Sequence, residues 1–190
     1  MQKLRKTDLY WLLAYPLYQL VGTLRHESGH AIAARLAGAR IIDFVWFPTW
    51  LPDRGFTWGY VRWTGHTGWL VLAAPYIADL ITFLLFYYIC THVRFRSHWV
   101  WVNFVIFGMF SPLANSLYAY LRAGNPYSDV GRLMKLLPQP ALHSYFILTL
   151  LLYILGLGSL FPFRHRKAIP QQPARDQTRS RTSHHRTPET

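Results

Sequence analysis

The stretch WLVLAAPYIADLITFLLFYYICTH, residues 69–92, decides the fold class of this chain. Its one acidic side chain, Asp79, stands among residues that are otherwise apolar, aromatic or weakly polar. A helix needs about 20 consecutive, mainly apolar residues to cross the hydrocarbon core of a bilayer. The sequence therefore predicts a membrane span at this position, and an integral membrane protein rather than a soluble domain.

Three other apolar blocks lie on either side of this stretch. They cover residues 9–36, 99–121 and 142–161, and Pro16 is a candidate kink in the first of them. With 69–92 they predict an all-α, multi-pass membrane protein with about four transmembrane helices. Four spans would place both termini on one side, and would bring the ends of the first and third spans to one membrane face.

The segment between the first two spans, residues 41–66, is rich in aromatic and β-branched residues and is interrupted by Pro and Gly. This composition predicts a short, membrane-associated β-rich segment. At the other end of the chain, residues 164–190 are basic and contain Pro, Ser and Thr but almost no large apolar side chains. We therefore predict a membrane-embedded domain over residues 1–163 and a disordered basic tail over 164–190.

The net charge of +12 comes largely from the two ends of the chain. Basic residues that flank membrane spans set topology and contact anionic lipid headgroups, so nucleic acid is an unlikely partner. Cys90 is the one cysteine, and it is predicted to pack as a small apolar residue within the second span.

The first apolar block ends in the pattern H-E-x-x-H, formed by His26, Glu27 and His30. On a helix, residues four apart lie one turn apart on nearly the same face. Two neutral imidazoles at this spacing bind Zn²⁺, and the glutamate beside the first serves as a general base toward water. Ionisable groups within a span are costly and usually functional, which favours a zinc site over a solvated helix end.

A catalytic zinc takes a third protein ligand and keeps one position open. The only other glutamate is Glu189, close to the C terminus, and Leu36 occupies the position that a third-histidine pattern would use. Asp129, which follows the third span, would return to the membrane face of the two histidines. Asp79 within the second span is the alternative, and spacing alone leaves both open.

The sequence around Asp129, GNPYSDVGRLMKLL at residues 124–137, predicts a turn followed by a helix. Asn125 and Pro126 are typical turn residues, and Ser128 is a typical helix cap. Gly131 would allow another segment to approach closely. Asp129 is also the kind of acid that the dipole at a helix N-terminus favours, with or without a metal.

Two of these stretches resemble known motifs. HESGHAIAARLAGARI at residues 26–41 resembles the zinc-binding helix of the site-2 protease family of intramembrane metalloproteases, and NPYSDVGRL at 125–133 is similar to its aspartate motif. AAPYIADL at 73–80 falls where a Gly-Pro element of that family would lie. The resemblance covers about residues 9–137, and it implies a β-rich segment between the zinc helix and the later spans.

Carried over residue by residue, the resemblance implies one Zn²⁺ held by His26, His30 and Asp129, with Glu27 as the catalytic acid and base. It implies a zinc-dependent metalloendopeptidase that cleaves membrane-associated or membrane-spanning polypeptides. Its partners would be a membrane protein substrate and the lipid bilayer. The resemblance also allows a regulatory membrane partner.

Two other functions fit the same sequence. The first is a catalytically inactive membrane metal-binding or scaffold protein of the same architecture. The second is a small transporter or channel component that uses Asp79, Asn103 and Asn115 along a polar path through the spans. Metal-independent flux in reconstituted vesicles would distinguish the transporter.

Overall fold

A computed structural model describes residues 2, 4–52 and 55–161 of the chain. The predicted tail at 164–190 and the predicted boundary at residue 163 lie outside the described residues. The helical elements are a 3₁₀ helix at Lys6–Ala14, α1 at Tyr15–Leu36, α2 at Trp69–His92, α3 at His98–Val105, a π-helical segment at Ile106–Phe110, α4 at Ser111–Leu121, α5 at Asp129–Leu136 and α6 at Gln139–Leu160.

Within the described residues, three helices are long and apolar enough to cross a membrane. They are α2, the continuous helix His98–Leu121 and α6, which match three of the four predicted spans. The first predicted span is not confirmed, because α1 contains Arg25, Glu27 and Arg35 within its length. The fold is mostly helical, as predicted.

The first predicted span, residues 9–36, is divided into two segments. The 3₁₀ helix ends at Ala14, and α1 begins at Tyr15 with Pro16 in its first turn. The N–H groups of a first helical turn have no intrahelical partner, so a proline there loses no hydrogen bond. Pro16 therefore lies in the first turn of α1, directly after the change from 3₁₀ to α geometry.

The end of α1 turns the chain into the β-rich segment. Gly38 has a φ of +83°, and its N–H donates to the Arg35 carbonyl at 3.0 Å. The N–H of Ala39 donates to the Ala34 carbonyl at 2.9 Å. These two bonds form a Schellman motif, which ends the helix at a residue that must adopt a left-handed conformation.

The segment after α1 forms four short strands, as predicted for residues 41–66. Strand β1 spans Arg40–Val45, β2 spans Thr49–Leu51, β3 spans Gly55–Thr57 and β4 spans Tyr60–Thr64. Antiparallel pairing joins β1 to β4 and β2 to β3, so the second pair is nested between the strands of the first.

The core joins the three long helices. Phe83, Trp101 and Tyr153 pack together, which connects α2, α3 and α6. A second cluster, with Tyr76, Leu133 and Phe146, packs α5 against α2 and α6. Because α5 is anchored in this way, its first residue, Asp129, has a defined place beside α1 and α2.

The π-helical segment between α3 and α4 leaves one backbone carbonyl without a helical donor. The N–H of Ser111 donates to the Ile106 carbonyl, five residues earlier, instead of to the Phe107 carbonyl. The next residue, Pro112, has no N–H to donate to Phe107. The Phe107 carbonyl is therefore free to accept a hydrogen bond from a side chain of another helix.

Candidate metal centre

The two histidines of the H-E-x-x-H pattern lie on one face of α1, as their spacing predicts. Their ring centroids are 5.0 Å apart, and the rings are nearly perpendicular. The side chain of His26 is 14% exposed and that of His30 is 5% exposed. Both imidazoles are thus largely withdrawn from solvent.

Asp129 brings a carboxylate to the same place from α5. Its Oδ2 atom lies 3.5 Å from Nε2 of His26 and 3.2 Å from Nε2 of His30. The ligand atoms of these three residues all lie within 4.8 Å of one another. In the part of the chain that the structure describes, this is the one such group of three His, Cys, Asp or Glu side chains.

A helix cap and a close backbone approach position Asp129. The hydroxyl of Ser128 accepts a hydrogen bond from the Gly131 N–H at 3.0 Å and so caps α5, as predicted. A Cβ atom on Gly131 would lie 2.0 Å from the carbonyl oxygen of Asn125. Only a glycine therefore allows the turn at Asn125 to pack on the first turn of α5.

A carbonyl in α2 orients His30. Pro75 has no N–H, so the carbonyl of Val71, four residues earlier, lacks its helical donor. Nδ1–H of His30 donates to this carbonyl at 2.8 Å. Gly29 makes the approach possible, because a Cβ at that position would lie 2.9 Å from Cα of Pro75.

This hydrogen bond decides what the other nitrogen of His30 presents. A neutral imidazole that donates through Nδ1 has a lone pair on Nε2. That lone pair faces a carboxylate oxygen of Asp129 at 3.2 Å, so two acceptors oppose each other and call for a cation between them. The three donor atoms therefore fit a divalent metal such as Zn²⁺, which binds imidazole nitrogen and carboxylate oxygen.

The carboxyl group of Asp129 is in the form that such a site requires. Burial on its own favours the protonated acid. Wherever the imidazoles of His26 and His30 carry a proton on Nε2, they donate toward its oxygens, and this outweighs burial and holds the pKa of Asp129 below its usual range. The group is therefore an ionised carboxylate at neutral pH.

Glu27, the predicted general base, is 8% exposed and lies on α1 between the two histidines. The turn between β3 and β4 lies directly against it. A Cβ on Gly59 would be 3.2 Å from Cγ of Glu27 and 2.6 Å from Cγ2 of Thr23. The β-rich segment thus lies against the glutamate at Gly59, where a side chain would not fit.

The second nitrogen of His26 contacts a residue of α4. Nδ2 of Asn115 lies 3.1 Å from Nδ1 of His26 and donates to Oδ2 of Asp79 at 2.5 Å. Asp79 also accepts a hydrogen bond from Nε of Arg25 at 2.7 Å. Asp79, the alternative third ligand, therefore lies behind the group of His26, His30 and Asp129 and is not part of it.

The other polar residues singled out in the sequence lie elsewhere. Asp43 pairs with Arg62 across β1 and β4, and Asp53 lies outside the described residues. Asn103 accepts a hydrogen bond from Tyr18 and donates to the carbonyl of Trp99. Asn103 therefore makes its own local contacts, whereas Asp79 and Asn115 are bonded to each other.

Two aromatic side chains complete the walls of the site, and neither was predicted. Trp63 of β4 stacks on His30 with ring centroids 5.9 Å apart, and Tyr76 of α2 packs edge-on against His26 at 5.6 Å. Tyr76 follows Pro75 within the element AAPYIADL at residues 73–80, so that element already pointed to this part of α2. Trp63 stands among many aromatic residues, and no local pattern distinguishes it.

These features define the class of the protein: a bundle of apolar helices with a partly buried group of two histidines and one aspartate at a helix junction. A family model described as Peptidase M50B-like matches residues 9–159, and the chain therefore belongs to that family. The resemblance to the site-2 protease family is thereby confirmed. Comparisons with curated proteins and with solved structures gave no match.

Family membership and the three apolar helices together identify an integral membrane protein of an intramembrane protease type. This result agrees with the predicted multi-pass localisation, for which the structure supports three spans. It also identifies the bilayer as the surroundings of the bundle.

Proposed function

We propose that the chain is an intramembrane zinc metalloprotease that hydrolyses peptide bonds of membrane-associated or membrane-spanning polypeptides. The observation that carries this proposal is the convergence of His26, His30 and Asp129, whose donor atoms lie within 4.8 Å of one another. Membership of a peptidase family whose members are generally zinc metalloproteases supports the same assignment.

In this proposal the chain holds one Zn²⁺ through Nε2 of each histidine and the carboxylate of Asp129. The ion supplies Lewis-acid activation of the scissile carbonyl and of the attacking water. Glu27 takes a proton from that water and transfers it to the leaving amine. The burial of Glu27 supports this role, because a buried carboxylate is a stronger base than one in water.

The β-rich segment is the proposed contact for an unwound substrate. A transmembrane helix must open before its peptide bonds become accessible, and an extended peptide can then pair with an exposed strand. The turn between β3 and β4 rests on Glu27 through Gly59. A peptide strand aligned with this segment would therefore pass close to the base.

The first experiment compares the wild type with Glu27→Gln on a candidate membrane substrate, with the zinc content of both measured. We expect the variant to keep its zinc and to lose cleavage, because glutamine cannot accept the water proton. Asp8→Asn is the matched control, since this acid lies in the 3₁₀ helix, outside the β-rich segment, and pairs with His98. Cleavage retained in Glu27→Gln would exclude the mechanism.

The same experiment separates the protease from a scaffold. A wild-type chain that binds one zinc but cleaves no membrane polypeptide would favour the inactive metal-binding protein. A polypeptide that accumulates uncleaved in cells carrying Glu27→Gln would instead identify the substrate.

A further inference from the structure

Two cavities lie side by side between α2 and α5, and the proposed hydrolysis uses neither. The first, of about 560 Å³, has Gly68 before α2 and Arg132 and Lys135 of α5 in its lining. The second, of about 310 Å³, has Trp69 and Leu133 in its lining. Gly68 and Trp69 are consecutive, as are Arg132 and Leu133, so the two cavities are neighbouring parts of one cleft.

The first of them, the basic cavity, carries positive charge that no acid balances. Arg132 and Lys135 are three residues apart on α5, and both are exposed. Among the described residues, neither of them forms an ion pair with an acid. The start of α2 adds partial positive charge, because no side chain caps it at Gly68. The charge of this cavity therefore favours an anion.

The hydroxyl of Thr67 gives the basic cavity a third donor. Its oxygen accepts a hydrogen bond from Nε1 of Trp63 at 3.0 Å, and its own proton is left to donate. Guanidinium and ammonium groups are the usual partners of phosphate in proteins. A phosphate has enough acceptor oxygens for Arg132, Lys135 and Thr67 together, so this donor set fits a phosphate group.

The second, the apolar cavity, has almost no polar surface. Its walls come from the first turns of α2, the end of α5 and the start of α6. The hydroxyl of Tyr145 is in this lining, but it donates to the carbonyl of Tyr76 at 3.0 Å and so already has a partner. The apolar cavity therefore suits a hydrocarbon chain.

The order of the two cavities along α2 matches the orientation of a lipid. Thr67 and Gly68, which line the basic cavity, precede the span, and its α2 side ends at Leu72. The apolar cavity continues further along the span, to Ile77. Trp69, the first residue of α2, is 46% exposed, as expected of a tryptophan at the membrane interface. The basic cavity therefore lies toward the headgroups, and the apolar cavity toward the hydrocarbon.

We propose that this cleft binds one anionic phospholipid, with its phosphate between Arg132 and Lys135 and one acyl chain in the apolar cavity. The unbalanced positive charge selects a headgroup with net negative charge. The apolar cavity next to it selects a ligand that carries a hydrocarbon chain on that headgroup. The bilayer around the bundle supplies such a molecule.

The bound lipid would rest on side chains that also support the candidate metal centre. Thr67 accepts from Trp63, and Trp63 stacks on His30. Tyr76 lines the apolar cavity and packs edge-on against His26. The lipid would thus lie on the outer side of both aromatic walls. Its binding requires neither zinc nor cleavage, so it can be tested independently of the proposed hydrolysis.

The test titrates the full chain, delipidated in a neutral detergent, with phosphatidylglycerol and follows binding by native mass spectrometry. We expect one tightly bound phosphatidylglycerol per chain. Phosphatidylcholine with the same acyl chains has a headgroup without net charge, and it should bind at least about 10-fold more weakly. Equal affinity for the two lipids would overturn the proposal.

Charge variants test the basic cavity. Arg132→Gln combined with Lys135→Gln should weaken phosphatidylglycerol binding about 25-fold, since each basic side chain near an anionic lipid contributes about fivefold. Arg94→Gln combined with Arg96→Gln is the matched control, which removes the same charge from two exposed residues beyond the other end of α2. The exchange Arg132→Lys with Lys135→Arg keeps both charges and should bind as the wild type does. Equal affinity in the two glutamine variants would overturn the proposal.

Two further measurements distinguish a lipid from a free phosphate. Ala141→Phe places a ring in the apolar cavity and should weaken phosphatidylglycerol binding at least about fivefold, because the acyl chain would be overpacked. Leu155→Phe, exposed elsewhere on α6, is the control. Inorganic phosphate should not displace the lipid. Displacement by inorganic phosphate, with full lipid binding by Ala141→Phe, would overturn the lipid assignment in favour of a simple phosphate site.

Discussion

Nδ1 of His30 donates a hydrogen bond to the backbone carbonyl of Val71 at 2.8 Å, across the contact between α1 and α2. The carbonyl is available because Pro75 cannot donate to it. A proline in one helix thereby sets the orientation of a histidine in another. The ring orientation of His30, a proposed ligand on α1, therefore depends on a residue of α2.

Replacing that proline tests the relationship. In Pro75→Ala the new N–H would donate to the Val71 carbonyl and compete with His30. We expect zinc affinity to fall, but by less than the roughly 10-fold or greater loss caused by removing such a partner outright. The thermal midpoint should rise, because a proline inside a helix is unfavourable. Pro16→Ala is the control, since Pro16 lies in the first turn of α1. Unchanged zinc affinity in Pro75→Ala would contradict the argument.

The third ligand can be tested against a carboxylate elsewhere in the fold. Asp129→Ala removes the oxygen that lies 3.2 Å from His30 Nε2, and we expect zinc to fall below one ion per chain. Elemental analysis of the purified protein measures this directly. Asp43→Ala, on β1, should keep a full complement. If Asp129→Ala retained wild-type zinc, another ligand would have to be sought.

The glycine two residues after Asp129 allows the close turn in front of α5. In Gly131→Ala the new Cβ would lie 2.0 Å from a backbone oxygen, so the turn and α5 must separate. We expect Asp129 to move away from the histidines and zinc affinity to decrease. Gly124→Ala, whose Cβ would meet nothing within 4 Å, is the control. Equal affinity in both variants would show that α5 tolerates the shift.

A different glycine tests the cover over the base. A methyl group on Gly59 would press on Thr23, on the Val45 carbonyl and on Glu27. Overpacking of this kind costs about 1–3 kcal/mol. We expect Gly59→Ala to reduce turnover without changing zinc content, because Glu27 is outside the proposed ligand set. Gly68→Ala, in open space at the start of α2, should behave as wild type. A loss of zinc in Gly59→Ala would mean that the strands support the metal-binding group itself.

Removing the metal should destabilise the folded chain. A ligand that binds only the folded state stabilises it by about 2.7 kcal/mol at a concentration 100 times its dissociation constant. We therefore expect a chelator to lower the thermal midpoint of the wild type but not that of His26→Ala. Equal shifts in the two proteins would indicate that the chelator acts at some other place.

Much of the site was predictable because its chemistry lies in short patterns. His26, Glu27 and His30 occupy one helical turn, and α2 and α6 consist of long apolar runs. The grouping of Asp129 with the histidines was one of two alternatives in the sequence, and the structure brings these three residues together. Local spacing and composition determine these features, so the sequence alone predicts them.

The supporting contacts were not predictable, because each depends on how helices pack. Asn115 was a polar residue in a span, and its position against His26 follows from the crossing of α1 and α4. The role of Val71 involves its backbone, which no residue type reveals. The division of the first predicted span into a 3₁₀ helix and α1 at Tyr15 was not predicted, because the apolar composition is similar on both sides of that residue.

The two carbonyls freed by prolines have a consequence for how the bundle assembles. In lipid, a carbonyl without a donor is unfavourable by several kcal/mol. The carbonyls of Val71 and Phe107 receive their donors from His30 and Arg25, both on α1. The later helices therefore cannot satisfy their own backbones until α1 has docked. Docking of α1 therefore satisfies both of these backbone carbonyls in the same contact that places His30 against α2.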